Sequence, residues 1–351
     1  MTRHIALWLP VVVCLCASCQ GSPTPEEKAD PVEKAVQAIE ALGGNVRRDE
    51  TLPGRPVVEV NLGYTKVTDS DLKVLKELRG LRWLDLHRTK IMDAGLENLK
   101  ELKGLRELWL DDTKITDAGL KDLKELKDLR TLWLSGTKIT DAGLKELKEL
   151  KGLEELDLSD TQITDVGLTD LKELKGLHSL DLPNTQITGA GLKELKELTG
   201  LQELNLSNSQ MTDAGMENLK ELKGLRFLWL YETKITDAGL KYLKGLKDLQ
   251  WLDLRLTHIT DSGMKDLKEL KGLQDLELVG TQITDVGLKD LKELPDLQRL
   301  SLSRTRITDA GLKELKEMKG LGFLELYFTQ ITNAGLKELK QALPKTRIFG
   351  P

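Results

Sequence analysis

Cysteine is nearly absent from this 351-residue chain. Its three cysteines, Cys14, Cys16 and Cys19, all lie close to the amino terminus. The rest of the chain can therefore form no disulfide and no thiolate metal site. We expect neither a bound metal nor a cofactor.

Concentrated charge of one sign is also lacking. The formal net charge is −5, and acidic and basic residues are mixed along the sequence. Phosphate binding requires Lys and Arg gathered on one face, so nucleic acid is not an expected ligand. The three histidines outside the leader, His87, His178 and His258, are far apart, and no phosphate-binding glycine loop is present. We do not expect an enzyme.

What the chain does have is one apolar pattern with a fixed 24-residue period, which no insertion interrupts. A fixed period of this size means that each unit cannot bury its apolar face alone and must stack on copies of itself. The sequence therefore predicts a solenoid over residues 57–349, which counts as one domain. One apolar column contains Val60, Leu84, Leu108, Leu132, Leu156, Leu180, Leu204, Leu228, Leu252, Leu276, Leu300 and Leu324.

One repeat, from Leu105 to Leu120, reads LxxLxLxxTxITDAGL. This motif resembles the leucine-rich repeat family, and about twelve near-identical copies carry the resemblance. The TDAGL segment is most similar to the repeats of bacterial tandem-repeat proteins. The resemblance implies an α/β fold, a right-handed horseshoe with a parallel β-sheet on the concave face and short helices on the convex face.

Local patterns within a repeat favour the same fold. Leu108 and Leu110 alternate as in a strand, whereas Leu120, Leu123 and Leu126 share one face of a short helix. Each repeat is therefore expected to be a strand followed by a helix.

The helices should begin at a polar cap and present charge to solvent. Thr116 or Asp117 can cap the amino end of its helix. The repeated Lys and Glu residues are read as a solvated outer face, with pairs such as Lys145 and Glu149 formed within one helix.

Two further columns are interpreted as structural. A threonine column stands where the family pattern has asparagine, and we expect its buried hydroxyls to form a ladder that satisfies backbone groups. A glycine or aspartate after each helix is expected to adopt the left-handed carboxyl cap. The glycines at these caps are Gly104, Gly152, Gly176, Gly200, Gly224, Gly272 and Gly320, and the aspartates are Asp128, Asp248 and Asp296. A second set, including Gly95 and Gly119, is expected where neighbouring helices pack closely.

Residues 1–19 have the layout of an exported leader, with a basic start, an apolar run from Ile5 to Ala17 and small residues before a cysteine. That run is too short to cross a bilayer, which takes about 20 residues. Cys16 to Cys19 resembles a bacterial lipobox, which implies that Cys19 is lipidated. We expect a cell-envelope protein with a lipid anchor, the outer membrane being favoured, or a secreted protein if ordinary signal cleavage occurs instead.

The segments beside the repeats have distinct compositions. Residues 20–30 are rich in Pro, Ser and charge and are read as a flexible tether. Residues 31–56 are assigned to a capping helix, Pro31 to Leu42, and a linker, before a first strand from Val57 to Leu62. At the other end, Gly335 to Leu343 is expected to be the last helix, and Arg347 to Phe349 a final short strand.

Aromatic residues make up only 4% of the chain, and most of them fall at outward strand positions between the leucines. Because the core is leucine, these rings are not needed to fill it. We expect an exposed binding surface there, in two main patches and a smaller third one. The candidate partner-binding residues are Trp83, Trp109, Trp133, Phe227, Trp229, Tyr231, Trp251, Arg255, Phe323 and Tyr327.

These features predict a non-enzymatic, monomeric scaffold that binds a protein partner on its concave aromatic and acidic face. A glycan-binding module, in which Trp and Tyr stack on sugars, and a structural envelope protein without a dedicated ligand are the alternatives. Aligned carboxylates, Asp157 with Asp181 and Asp253 with Glu277, could hold calcium, but a solvated acidic strip is favoured over that site.

Overall fold

The structure, a computed structural model, describes residues 30–350. Within that range, fourteen strands form a single sheet in which each strand pairs with its neighbours in chain order. β1 and β2 are antiparallel, and every later pair is parallel, with partners one repeat apart as in Trp109 and Trp133. The strands are β1 Asn45–Arg48, β2 Val57–Asn61, β3 Trp83–Asp85, β4 Glu107–Trp109, β5 Thr131–Trp133, β6 Glu155–Asp157, β7 Ser179–Asp181, β8 Glu203–Asn205, β9 Phe227–Trp229, β10 Trp251–Asp253, β11 Asp275–Glu277, β12 Arg299–Ser301, β13 Phe323–Glu325 and β14 Arg347–Phe349.

Short helical segments connect the parallel strands, so the predicted alternation of strand and helix is confirmed. The α-helices in the described range are α1 Pro31–Ala41, α2 Asp93–Leu96, α3 Asp117–Leu120, α4 Asp141–Leu147, α5 Leu168–Leu171, α6 Asp213–Leu219, α7 Asp237–Leu240, α8 Asp261–Leu267, α9 Leu288–Leu291, α10 Leu312–Leu315 and α11 Asn333–Ala342. The 3₁₀ segments there are Asp71–Glu77, Glu97–Leu99, Leu123–Glu125, Leu192–Glu197, Lys241–Gly245 and Asp309–Gly311.

One leucine-rich core runs between the sheet and the helices for the length of the solenoid. In a typical repeat the strand leucines Leu108 and Leu110 and the helical Leu120 and Leu123 are all fully buried. Burial of each such side chain contributes roughly 1.5 to 3 kcal/mol. The aromatic side chains are therefore left for the other face of the sheet.

The amino-terminal end is more regular than the sequence indicated. Helix α1 begins at Pro31 as predicted and ends at Ala41, and the Asp30 side chain accepts a hydrogen bond from the Val32 backbone N–H. Residues 45–48, assigned to a linker, form strand β1 instead. The linker assignment was wrong because β1 covers the otherwise open edge of β2, an edge that a sheet must protect.

The carboxyl-terminal end follows the prediction closely. The expected last helix is α11, which begins slightly earlier, at Asn333. The expected final strand is β14, which pairs with β13. Among the described residues no helix combines the length and apolar character needed to cross a membrane. The leader, Cys19 and nearly all of the tether lie outside the described residues.

The threonine column is structural, but it is not a ladder between repeats as predicted. Each hydroxyl donates to the carbonyl oxygen three residues earlier in its own repeat, as Thr113 does to Leu110 at 2.6 Å. The single serine, Ser209, does the same to Leu206. The column thus satisfies one backbone acceptor where each strand ends.

The ladder between repeats is made by the aspartate of the TDAGL segment. Asp93 accepts from the backbone N–H of Thr116 at 2.8 Å and from its hydroxyl at 2.6 Å, one repeat later. A Cβ on Gly119 would lie 2.6 Å from the same carboxylate, which confirms the close packing predicted there. Thr116 also accepts from the Ala118 N–H and so caps its helix, as expected.

Gly189 interrupts this ladder, because it replaces the aspartate in one repeat. Thr212 there donates its N–H to the Thr188 carbonyl oxygen at 3.3 Å instead of to a carboxylate. The Asn218 side chain donates to the Gly189 carbonyl oxygen at 2.9 Å. Gly189 has a φ of +95°, which an L side chain rarely adopts.

Left-handed backbone occurs at a different position from the one predicted. The glycines and aspartates after the helices have no positive φ, since the chain closes there through a turn such as Leu105 N–H to Leu102 carbonyl oxygen. Instead, the residue before each threonine of the column, or before Ser209, is left-handed in every repeat from Tyr64 to Phe328. Polar or charged residues, or glycine, hold most of these positions, whereas Leu256 and Phe328 are bulky exceptions.

Charge pairs on the outer face connect repeats. Lys127 lies 3.4 Å from Glu149, and Lys151 lies 3.3 Å from Glu173. The predicted pair of Lys145 and Glu149 is not formed, because Glu149 lies past the end of α4 and contacts Lys127 of the preceding repeat. Such exposed pairs contribute about 0 to 1 kcal/mol each.

Candidate functional site

The candidate site is the sheet face that points away from the helices. In every repeat strand the middle residue is buried in the core, and the first and third residues project from the opposite face. In-register pairing therefore arranges these outward residues in two columns that run across the sheet. The predicted binding residues occupy these columns or the loop position two residues later.

The first cluster, here called the amino-terminal aromatic group, contains Trp83, Trp109 and Trp133. Trp109 and Trp133 stack, with ring centroids 4.4 Å apart and planes 8° apart. Trp83 meets Trp109 edge-on at 5.0 Å. The predicted stacking of neighbouring rings is thus confirmed for this group.

The rings are less exposed than predicted. All of the tryptophans on this face are half-buried, because each ring covers part of its neighbour. The indole N–H groups of Trp109 and Trp251 are buried without a hydrogen-bond partner in the described part of the chain. Among the candidate residues on the sheet face, Tyr327, 39% exposed, is the aromatic one that lies open to solvent.

The second cluster, the central aromatic group, contains Phe227, Trp229, Tyr231 and Trp251. Phe227 and Trp229 are roughly parallel, but their centroids are 6.1 Å apart. Trp251 lies next to Phe227 in the register of the sheet. This group is therefore more loosely arranged than the amino-terminal one.

Arg255 organises one side of the central aromatic group. Its guanidinium carbon lies 5.3 Å from the centre of the Tyr231 ring, and its Nε and Nη2 donate to the Asp253 carboxylate. The Asp253 carboxylate is completely buried. A hydrogen bond to Glu232 raises the pKa of the Tyr231 hydroxyl. Arg255 is thus held in place by its own repeat.

The predicted third patch divides into two pairs. Phe323 packs on Phe349 at 5.3 Å, with the Arg299 guanidinium 4.6 Å above its ring. Tyr327 contacts Phe328, which is 75% exposed. The two pairs separate because the Phe323 ring is occupied by its β14 neighbour, which the sequence pattern did not indicate.

Between the two aromatic groups lies a cavity of about 260 Å³, which we call the acidic pocket. It is bordered by Trp133, and its polar side chains come from β6, β7 and β8 and the residue before β7. The polar lining residues are Glu155, Asp157, His178, Ser179, Asp181 and Glu203.

Burial dominates the electrostatics of this region. It raises the pKa of Asp181 to about 6, with the nearby Asp157 charge acting in the same direction. Burial likewise raises the pKa of Asp157, although hydrogen bonds from Ser159 oppose the shift. Asp111, in the loop after β4, also has a pKa raised to about 6 by burial. These carboxylates are held close together at a cost in free energy.

The calcium alternative receives no support from the described residues. No group of three or more His, Cys, Asp or Glu side chains there is arranged to hold a metal ion. Asp253, one member of the proposed pairs, is occupied by Arg255. His87 bonds to Asp85, and His178 lies 3.9 Å from Glu154.

A larger recess, of about 780 Å³, lies between α1 and β1. Its arginines are already paired, Arg47 with Glu59 and Arg48 with Glu33. It lies at β1, at the amino-terminal edge of the sheet, whereas the acidic pocket lies on β6 to β8. We therefore place the candidate site at the acidic pocket and its flanking rings.

The sequence identified the outward aromatic residues but missed part of the pocket. Glu155 and Glu203 occupy the first outward column, yet they resemble the Lys- and Glu-rich remainder of each repeat. His178 precedes its strand and was considered only as a catalytic residue. The regular spacing of positions 155, 179 and 203, one repeat apart, was the signal that could have placed them together.

Comparisons with known proteins agree with this fold. The chain resembles the crystal structure of an internalin from Listeria monocytogenes, with a TM-score of 0.65 and 24% identity over 92% of this chain and 94% of that one. A leucine-rich repeat protein from Leptospira interrogans gives a TM-score of 0.54 and 24% identity over 79% and 80%. These likenesses concern the fold.

No curated protein matches the sequence significantly. The family model described as leucine-rich repeat region matches residues 91–347, most of the chain. By the register of its sheet and by this match, the protein belongs to the leucine-rich repeat family.

Proposed function

We propose that this protein is a non-enzymatic scaffold of the bacterial cell envelope that binds a protein partner on its concave strand face. The single observation that carries the proposal is the placement of the aromatic residues. A core made of leucine has no need of them, and yet Trp83, Trp109, Trp133, Trp229 and Trp251 gather on the opposite face. Solenoids of this family are typically protein-binding scaffolds.

The chemistry of the face fits a protein ligand. Trp, Tyr and Arg are the residues that most often dominate protein interfaces, and here they flank a polar recess. Arg255 is oriented in advance by the Asp253 carboxylate, so little side-chain entropy is lost when it contacts a partner. The leader-like segment and the lipobox-like Cys19 support an exported protein with a lipid anchor.

The test is affinity capture from an envelope extract with two double variants of the full-length protein. One carries Trp109→Ala and Trp133→Ala, and the other carries Trp229→Ala and Trp251→Ala. A protein epitope that spans both aromatic groups should lose retention with either variant. Tyr242→Ala is the matched control, because this ring lies in a helical segment outside the strand face.

Each outcome has a defined meaning once circular dichroism has shown that the variants are folded. Loss of one captured protein with both pairs, but not with the control, supports the scaffold. Binding to a glycan array that depends on one pair alone would replace the scaffold with a glycan-binding module. Equal capture by all four proteins would remove the strand face from consideration and favour a purely structural envelope role.

A further inference from the structure

The strand face from β6 to β8 carries negative charge that the rest of the protein does not neutralise. Glu155, Asp157, Asp181 and Glu203 line the acidic pocket. In the described part of the chain, no Lys, Arg or His nitrogen lies within 4.0 Å of any of these carboxylates. His178, the nearest candidate, is directed toward Glu154 instead.

Elsewhere on the same face, some acidic residues have a basic partner, as Asp275 has in Arg299, whereas Glu277 and Glu325 have none within 4.0 Å in the described part of the chain. The third residue of β3 is Asp85, and His87, two residues later, bonds to it at 2.6 Å. The third residue of β10 is Asp253, and Arg255, again two residues later, is its partner. A residue two positions later can therefore compensate a carboxylate in this column.

The pocket lacks that compensation at both of its central strands. Two residues after Asp157 comes Ser159, which supplies hydrogen bonds but no charge. Two residues after Asp181 comes Pro183, which has neither a charge nor a backbone N–H to donate. Like charges on neighbouring strands repel each other, so this arrangement costs stability while the pocket is empty.

The shape and the remaining wall of the pocket also suit a cation. Its volume of about 260 Å³ is the space of about eight or nine water molecules, at about 30 Å³ each, which accommodates one long side chain. Trp133 supplies an aromatic surface, and its stacking on Trp109 holds the ring in position. An ammonium or guanidinium group near an indole face gains attraction in addition to its ion pairs.

We propose that the acidic pocket receives a protonated lysine or arginine side chain from a basic segment of the protein partner. This inference rests on the proposed function and adds the chemistry of the partner. The carboxylates of β6, β7 and β8 supply the ion pairs, and Trp133 covers the aliphatic part of the side chain. The aromatic groups on either side then contact the flanking residues of the same segment.

The test uses a blocked tetralysine peptide and a blocked tetraglutamine peptide as probes, titrated into the full-length protein by calorimetry and by tryptophan fluorescence. Asp157→Asn with Asp181→Asn removes two charges. These variants should fold, since Asn61 and Asn205 occupy the same column, and an Asn at position 157 can accept the Ser159 backbone N–H as those residues accept theirs. Glu149→Gln with Glu173→Gln removes the same charge from the outer face.

The expected result is tetralysine binding that weakens about tenfold or more in the aspartate variant, weakens with salt, and is unchanged in the glutamate control. Binding should also weaken between pH 7 and pH 5, as Asp181 becomes protonated. Equal affinity of the native protein and the aspartate variant would overturn the inference. So would equal binding of the two peptides, or no binding of either.

This experiment can be separated from the test of the scaffold itself. A captured partner that is lost with the tryptophan variants but kept by the Asp157→Asn, Asp181→Asn variant would leave the scaffold intact and reject the cation pocket. A partner lost with both sets supports the two proposals together.

Discussion

The strands of the acidic pocket, β6 to β8, differ from the strands of the central aromatic group in how they treat the same aspartate column. In β10 the Asp253 carboxylate is fully buried and bonded to Arg255. In β6 and β7 Asp157 and Asp181 are half-buried, and their pKa values are raised. The loop after each strand makes this difference: Arg255 folds back to bond the Asp253 carboxylate, whereas Ser159 and Pro183, at the same position, supply no charge.

The same column thus holds a carboxylate paired with a cation in one region and carboxylates without one in another. A buried carboxylate that is paired with its own cation holds the loop after the strand in place, and it cannot also form an ion pair with a ligand. A carboxylate without a cationic partner weakens the fold slightly, and it can still form an ion pair with a ligand. The solenoid tolerates both because each repeat is stabilised chiefly by its own core and its two neighbours.

The largest effect on stability is expected when the cationic partner of a buried carboxylate is removed. Arg255→Met should lower the free energy of unfolding by about 3 kcal/mol, because the buried Asp253 charge would lose its cation and keep only the hydrogen bond from the backbone N–H of residue 255. Urea denaturation measures the loss. Arg304→Met is the control, since Arg304 stacks on the exposed Phe328 ring. A loss below about 1 kcal/mol for Arg255→Met would contradict the contrast between the two regions.

A smaller effect of opposite sign is expected in the pocket. At pH 7, Asp157→Asn with Asp181→Asn should raise the free energy of unfolding by about 1 kcal/mol, because repulsion between neighbouring strands is relieved. The same urea assay applies, with Glu149→Gln and Glu173→Gln as the control. If the aspartate variant is destabilised, the hydrogen bonds that Asp157 accepts from Ser159 outweigh the repulsion between the strands.

The pH dependence gives a further effect, also on the order of 1 kcal/mol. Burial raises the pKa of Asp111 and of Asp181 to about 6, above the ordinary value of 3.8 that holds in the unfolded chain. The folded state therefore binds more protons between about pH 4 and 6, and these two groups stabilise it as the pH falls through that window.

Thermal unfolding of the native protein and of the Asp111→Asn, Asp181→Asn variant, from pH 7 down to pH 4, measures this contribution. The difference between the two proteins isolates it from groups such as Asp309, whose pKa is lowered by bonds from Thr332 and which acts in the opposite direction. Parallel curves for the two proteins would show that neither carboxyl has a raised pKa.

An effect of similar size concerns the rings themselves. A double-mutant cycle on Trp109 and Trp133 should give a coupling of about 1 kcal/mol, because these rings stack at 4.4 Å. The corresponding cycle on Phe227 and Trp229, 6.1 Å apart, should give less. The reverse order would mean that the central group, and not the amino-terminal one, is the more rigid platform.

Much of the fold was predictable because the fixed repeat period constrains every repeat in the same way. The strands, most of the helical turns, the core leucines and the carboxyl-terminal strand follow from that period and from alternation. Strand β1 did not, since residues 45–48 lie outside the repeat and form a strand only because β2 offers an open edge. The left-handed position was also assigned to the wrong residue, because the glycines after the helices suggested a left-handed cap there, whereas the positive φ occurs just before the threonine column.

The candidate site was predictable in part for the same reason. Outward positions follow from strand alternation, so Trp83, Trp109 and Trp133 could be placed on one face. The contacts that these side chains make could not be predicted, because ion pairs, ring angles and burial depend on side-chain conformations across neighbouring strands. The buried Asp253 and the half-buried Asp181 look alike in sequence.

The sequence by itself determined a leucine-rich repeat solenoid and the face on which its rare aromatic residues lie. These depend on the repeat period and on the alternation within each strand, which any chain with this pattern must obey to bury its leucines. Only the tertiary structure decided which carboxylates are neutralised and which remain open beside Trp133. That outcome depends on which loop residue reaches back to a carboxylate and on how deeply each group is buried, and both arise when the repeats stack.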